Sequence, residues 1–303
     1  MENLSRGLSL AIVCCVAVLF PACKSAAPPP TTEEVVAEAL PETTEIPAGF
    51  KAADFVDSGA VDDGWLETFN DPQLEVLVEE ALRNNLDLRI AAAQVDSAAA
   101  SAVIAGARLK PTVDLGIGAT GSGTTAEASG DAGLGLSTTW EIDIWGKLAS
   151  GSAASEASFA AAQANYEFAR QSLAAQTAKA WFIATQARML LDLGLKTVDL
   201  YRQTLELVDL KHEVGQVTRQ DISLARADLA SAQEAHRQAE AADRQARRSL
   251  ELLLGRYPAA EIEAHSEMSP LPQPVPDGLP TYLLERRPDH IASENNVAAA
   301  FFL

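Results

Sequence analysis

Thr112-Val113-Asp114-Leu115-Gly116-Ile117-Gly118-Ala119-Thr120 alternates apolar side chains with small or polar ones. A glycine, serine and threonine loop from Gly121 to Asp131 follows, and then the alternation resumes. Ala132, Leu134, Leu136, Thr138, Trp140, Ile142 and Ile144 fall on one side; Gly133, Gly135, Ser137, Thr139, Glu141 and Asp143 fall on the other. Side chains on a strand alternate between its two faces, so this period of two predicts an antiparallel β-hairpin over 112–145. A strand of about 9–11 residues with Gly, Thr and Asp on one face suits the wall of a transmembrane barrel. Trp145 then falls at an interfacial girdle position. A soluble sheet covered on one face produces the same alternation, so the pattern alone leaves both open.

On either side of the hairpin the period changes to that of a helix. From Asp71-Pro72, Leu74, Leu77, Val78, Ala81, Leu82, Leu86, Ile90 and Ala93 form a recurring stripe. Asp71 caps this helix with proline at its first position, a break is expected near Asn84-Asn85, and Pro111 ends it. No proline lies between Pro111 and Pro258. From Gly146 an apolar pattern through Ala157, Ala161, Ala164, Phe168, Leu173, Ala180, Phe182, Leu190, Leu193 and Leu200 runs to about Glu213. Some sixty residues at 1.5 Å each would make a helix of roughly 100 Å, which implies a coiled coil or a barrel of helices. Val214-Gly215-Gln216-Val217 then reads as a tight turn, with Gly215 left-handed and Thr218 and Asp221 forming a capping box. The returning helix places Ile222, Ala225, Leu229, Ala232, Ala239, Ala246, Leu250 and Leu253 on a seam of seven-residue spacing, which His236 and Asp243 interrupt. It stops near Gly255, completing a helical hairpin over 146–255, and a proline-rich connector runs from Pro270 to Pro280.

The composition agrees with long, closely packed helices. There are 56 alanines in 303 residues and only 6% aromatics, whereas compact cores are anchored by larger side chains. This disfavours a compact α/β enzyme. The formal charge of −19 excludes a nucleic-acid partner, because phosphates would be repelled. At the N-terminus, Arg6 and a 13-residue apolar run from Leu8 to Phe20 read as a signal peptide over 1–22. Phe20-Pro21-Ala22-Cys23 resembles a bacterial lipobox, which favours Cys23 as the lipid-attachment residue over an unmodified cleavage nearby, and Lys24 after it resembles lipoproteins sent to the outer membrane. Residues 23–60, rich in Pro, Thr, Glu and Ala, read as an extended tether.

No catalytic constellation emerges. Gly116-Ile117-Gly118-Ala119-Thr120-Gly121 fits a dinucleotide fingerprint in spelling, but a second strand follows where that site requires a helix. Glu141 and Asp143 could be paired carboxylates, yet no histidine lies near them; with Asp114 they read as an acidic face lining a lumen. His212, His236, His265 and His290 have no ligand spacing. Neither a metal nor a cofactor is expected. The Gly215 turn is either a solvated helix-hairpin turn or a docking tip, and its residues alone favour the first.

Trp65, Phe69, Asp71-Pro72, Leu74, Leu77, Ala81-Leu82, Asn85 and Asp87-Leu88 resemble the opening of the TolC-type outer-membrane factors. Trp140-Glu141-Ile142-Asp143-Ile144-Trp145-Gly146-Lys147 resembles the strand-to-helix motif of their OprM/NodT lipoprotein branch. Leu252-Leu253-Leu254-Gly255-Arg256-Tyr257-Pro258 and Leu283-Leu284-Glu285-Arg286-Arg287-Pro288-Asp289 resemble two further signatures. The resemblance covers about residues 60 to 300 and implies one outer-membrane factor domain over 61–303. The implied fold is mainly α with one antiparallel β-hairpin: a long helical hairpin of a periplasmic α-barrel plus two strands of a shared transmembrane β-barrel. The implied assembly is a homotrimer in the outer membrane of a Gram-negative bacterium. It would work with a periplasmic adaptor and an inner-membrane RND-type pump as a passive conduit for drugs or other solutes. Val214, Gly215, Gln216, Val217, Thr218 and Asp221 resemble the family's first tip turn, which points to adaptor docking.

Family chains carry two such halves. Leu82, Asp87, Val95 and Ala98 recur 202 residues later as Leu284, Asp289, Val297 and Ala300, so the chain reads as a first repeat and the start of a second. Three copies would then contribute six strands in place of twelve. The competing reading is a lipid-anchored periplasmic coiled-coil scaffold, or a truncated subunit that does not conduct.

Overall fold

A computed structural model describes residues 64–123, 128–272 and 286–302. The expected signal peptide, Cys23 and the tether lie outside these residues, as does most of the proline connector. The elements in order are a 3-10 turn at Glu67–Phe69, α1 (Pro72–Asn84), α2 (Leu86–Ala107), β1 (Thr112–Gly123), β2 (Ala128–Thr139), α3 (Lys147–Glu213), α4 (Arg219–Leu253) and α5 (Pro288–Phe301). The chain divides into two units. One takes in Gln94–Ala164 and Pro288–Leu303, and the other Pro47–Ala93 and Asn165–Arg287.

The second unit holds the main core. Leu74, Leu77, Val78 and Ala81 pack in one cluster with Leu88, Leu173, Ala174, Ala178, Trp181, Leu250, Leu254 and Ile262. Asp71 initiates α1 as anticipated: its Oδ1 accepts from the N–H groups of Gln73 and Leu74, both at 3.1 Å. Its Oδ2 accepts from the indole Nε1 of buried Trp181 at 2.8 Å and from Ser269 Oγ at 3.1 Å. Burial alone would raise this carboxyl's pKa. The hydrogen bonds from Trp181, Leu74 and Ser269, with the charge of His265, bring it below the ordinary aspartate value.

At Asn85 the backbone turns extended, with ψ of 133°, and the helix restarts. The Asn85 side chain serves both neighbours, accepting from Leu88 N at 3.0 Å and donating to Leu253 O at 3.0 Å. This break corrects the single stripe read from the sequence. It rephases α2, so that Leu88 is buried while Leu86 and Ile90 are 63% and 58% exposed.

Both long helices close in the same manner. After α4, Gly255 adopts φ +71°, its N–H reaches Leu252 O and the Arg256 N–H reaches Glu251 O. A Cβ on Gly255 would lie 2.7 Å from the Asn84 carbonyl oxygen, so this position needs glycine for its space and for its dihedral. Beyond it the buried carboxylate of Glu251 accepts from three successive N–H groups, those of Ala260, Glu261 and Ile262. Burial opposes its ionisation, but these bonds and the Arg247 charge hold its pKa below the usual glutamate value. Along α4, Ala225, Ala232 and Leu250 are buried as expected of the seam. Asp243 does not interrupt that seam. It is buried within it and neutralised by Arg247 Nη2 at 2.6 Å, since a buried charge requires a partner.

In the first unit β1 and β2 pair antiparallel from Thr112↔Thr139 to Gly123↔Ala128. The strands are each 12 residues, so the expected loop from Gly121 to Asp131 contracts because its flanks join the ladder. At the other end β2 stops at Thr139 and does not continue to Trp145. Pro111 precedes β1 and has no N–H to donate, which ends the ladder.

Candidate functional site

The register settles how the hairpin's two faces are composed. Directly paired residues point the same way, and Leu115↔Leu136, Ile117↔Leu134 and Ala119↔Ala132 make one face. Asp114↔Ser137, Gly116↔Gly135, Gly118↔Gly133 and Thr120↔Asp131 make the other. The apolar face is uncovered: Leu115, Ile117 and Leu136 are 65%, 81% and 74% exposed. Contiguous apolar surface of this kind marks an interaction with membrane or protein. The opposite face, of glycines and small polar groups, leaves open space above the sheet; nothing lies within 4 Å of a Cβ placed at Gly118, Gly133 or Gly135.

The three carboxylates read as a strand face separate. Asp114 sits in β1 opposite Ser137 and is exposed. Glu141 and Asp143 lie beyond the end of β2, which corrects their placement on a strand. Asp143 instead accepts from the Ala149 N–H at 2.8 Å, in the first turn of α3. A carboxylate is favoured there because the first N–H groups of a helix lack intrahelical partners. Gly146, at φ +73°, turns the chain into that helix, and Trp140 Nε1 donates to Leu109 O at 3.3 Å on the opposite arm. The tryptophan motif therefore forms an irregular strand-to-helix joint. Trp140 and Trp145 are both exposed on it.

The turn between α3 and α4 has the geometry its residues imply. Gly215 adopts φ +75°, its N–H bonds to His212 O at 2.9 Å, and Gln216 N bonds to Lys211 O at 2.9 Å. Thr218 Oγ1 accepts from Asp221 N at 3.3 Å, and the Asp221 carboxylate accepts from Thr218 N at 2.7 Å. The backbone and side-chain bonds from Thr218 hold the Asp221 carboxyl below its ordinary pKa. Val214 is 67% exposed at the apex, and Gly215, Gln216 and Thr218 are exposed beside it; Val217 is half-buried. Sequence reasoning missed His212, whose Nδ1 lies 2.9 Å from Val217 O and braces the turn. Its place in the last helical turn, three residues before a left-handed glycine, was the available signal.

Residues 77–256 match the family described as Outer membrane efflux protein. The toluene efflux pump outer membrane protein TtgF of Pseudomonas putida is 30% identical over 244 residues, which cover 78% of this chain and 51% of that protein. The probable outer membrane lipoprotein SilC of Salmonella typhimurium is 30% identical over 247 residues, covering 79% and 53%. The solved structure of the outer-membrane channel OprN superposes with a TM-score of 0.74 at 27% identity, over 86% of this chain and 61% of that one. The chain thus spans about half the length of the curated relatives it matches.

Proposed function

This chain belongs to the outer membrane efflux protein family, and from that premise we propose that it is a channel subunit of a tripartite efflux system in the outer membrane. The hairpin carries this reading. Twelve residues at about 3.3 Å each reach about 40 Å, and a tilt near 45° brings that to about 28 Å, close to the hydrocarbon thickness. Burying Val113, Leu115, Ile117, Leu134 and Leu136 in lipid is favourable by about 1.5–3 kcal/mol each. Among the described residues the sheet has two strands and so two open edges, which lipid does not tolerate, so further strands must close it. Neighbouring copies in a homotrimer contribute to that closure. The exposed Val103 and Ile104 on α2, and Leu193, Leu200 and Leu207 on α3, then pack against neighbouring helices of a periplasmic tunnel.

In this assembly Asp114 and the glycine-rich face border the lumen. The exposed tip at Val214, Gly215, Gln216, Val217, Thr218 and Asp221 docks a periplasmic adaptor, and an inner-membrane RND-type pump supplies the energy. The subunit itself conducts passively. Cys23, outside the described residues, carries the lipid anchor, a reading supported by the lipoprotein name of the Salmonella relative. Purified protein reconstituted in planar bilayers tests the proposal: trimers with discrete conductance steps are expected, and trimers without conductance overturn it.

A further inference from the structure

At the base of the hairpin a groove of about 340 Å³ is lined by Ser101, Ile104, Arg108, Lys147, Leu148 and Ser155, among others, all within the first unit. Arg108 follows the end of α2 and Lys147 opens α3, so both cations stand where the chain enters and leaves the strands. Among the described residues neither forms an ion pair, and no acidic side chain lines the groove. Asp143, the acid closest to Lys147 along the chain, is committed to the Ala149 N–H. The rest of the lining is of two kinds. Ile104 and Leu148 are apolar, and the Ser101 and Ser155 hydroxyls donate back to Ser97 O and Gly151 O, leaving their own oxygens free to accept.

We propose that this groove binds the headgroup of a phospholipid. Arg108 and Lys147 hold the phosphate, and the serine oxygens accept from the hydroxyl or ammonium group beyond it. The proposal rests on the hairpin's being membrane-embedded, since only then does the groove lie at headgroup depth. A basic side chain at such a surface gains about 1 kcal/mol with an anionic lipid, so two together favour it by roughly thirtyfold.

Native mass spectrometry of the detergent-purified protein, titrated with dioleoyl phosphatidylglycerol and with dioleoylglycerol as the phosphate-free control, tests this. The expected result is a preference of about thirtyfold for the phospholipid, falling to threefold or less in R108Q/K147Q and retained in R108K/K147R. An unchanged preference in R108Q/K147Q, equal binding of the two lipids, or displacement by millimolar inorganic phosphate overturns it. Alkaline carbonate extraction of the same proteins separates the two readings. Release of the wild type from membranes defeats the channel proposal, whereas retention without a phosphate preference defeats only the lipid site.

Discussion

Replacing Asp71 tests how the core of the second unit is tied together. Its two oxygens do different work: Oδ1 caps α1 through Gln73 and Leu74, and Oδ2 receives the indole N–H of Trp181, 110 residues away in sequence. Asp71→Asn keeps an oxygen for the cap, since asparagine caps about as well as aspartate, but turns an amide N–H toward the indole N–H. Trp181 is fully buried, so its donor is left without an acceptor at a cost of about 1–3 kcal/mol. Asp71→Ala loses the cap as well, adding about 1 kcal/mol, for a total of about 2–4 kcal/mol. Urea unfolding in detergent, followed by tryptophan fluorescence, reads both variants. The reasoning requires the order wild type, Asn, Ala in decreasing stability. Asn matching wild type would mean the indole bond contributes nothing; Ala matching Asn would mean the same of the cap.

Gly255→Ala is expected to cost about 2 kcal/mol or more, because it combines left-handed strain with a contact against Asn84 O at 2.7 Å. Gly215→Ala has the same strain with nothing within 4 Å, and should cost about 1 kcal/mol; equal losses at the two sites would refute the close-approach argument. Acid should weaken the second unit. Asp71 and Glu251 have folded pKa values below their ordinary 3.8 and 4.5. Their stabilisation is therefore complete above about pH 5 and is lost as pH falls through and below those values. Thermal midpoints measured between neutral and acidic pH check this, and the fall should be shallower in Glu251→Gln than in wild type. Leu115→Lys or Leu136→Lys, each on the exposed apolar face, should reduce membrane retention under alkaline carbonate by a depth-dependent cost of up to about 2–4 kcal/mol. Full retention of both would favour a peripheral scaffold.

Much of this architecture is written in local signals. The period of two over 112–139, the capping box at Thr218 and Asp221, the left-handed Gly215 and Gly255 and the break at Asn85 each depend on residues within one turn or one pairing. What escaped the sequence depends on distant partners or on which side chains the packing buries. Asp71 reads as a cap, but nothing beside it announces Trp181 or Ser269. Asp243 looks like a seam defect until Arg247 is placed one turn later against it. Glu141 and Asp143 keep the strand's alternation in spelling, yet pairing stops at Thr139 because Pro111 on the partner arm has no N–H to offer. Periodicity reports which faces a segment would have as a strand; it does not report where the partner strand ends.

In the proposed channel one face of the hairpin meets lipid and the other meets water. Single cysteines placed in turn from 112 to 118 and from 133 to 138, in outer membranes, can be labelled with an environment-sensitive fluorophore and tested with lipid-phase and aqueous quenchers. The prediction is a period of two: positions 113, 115, 117, 134, 136 and 138 quenched from the lipid phase, and positions 112, 114, 116, 118, 133, 135 and 137 quenched from water. Uniform access from water at every position would contradict it.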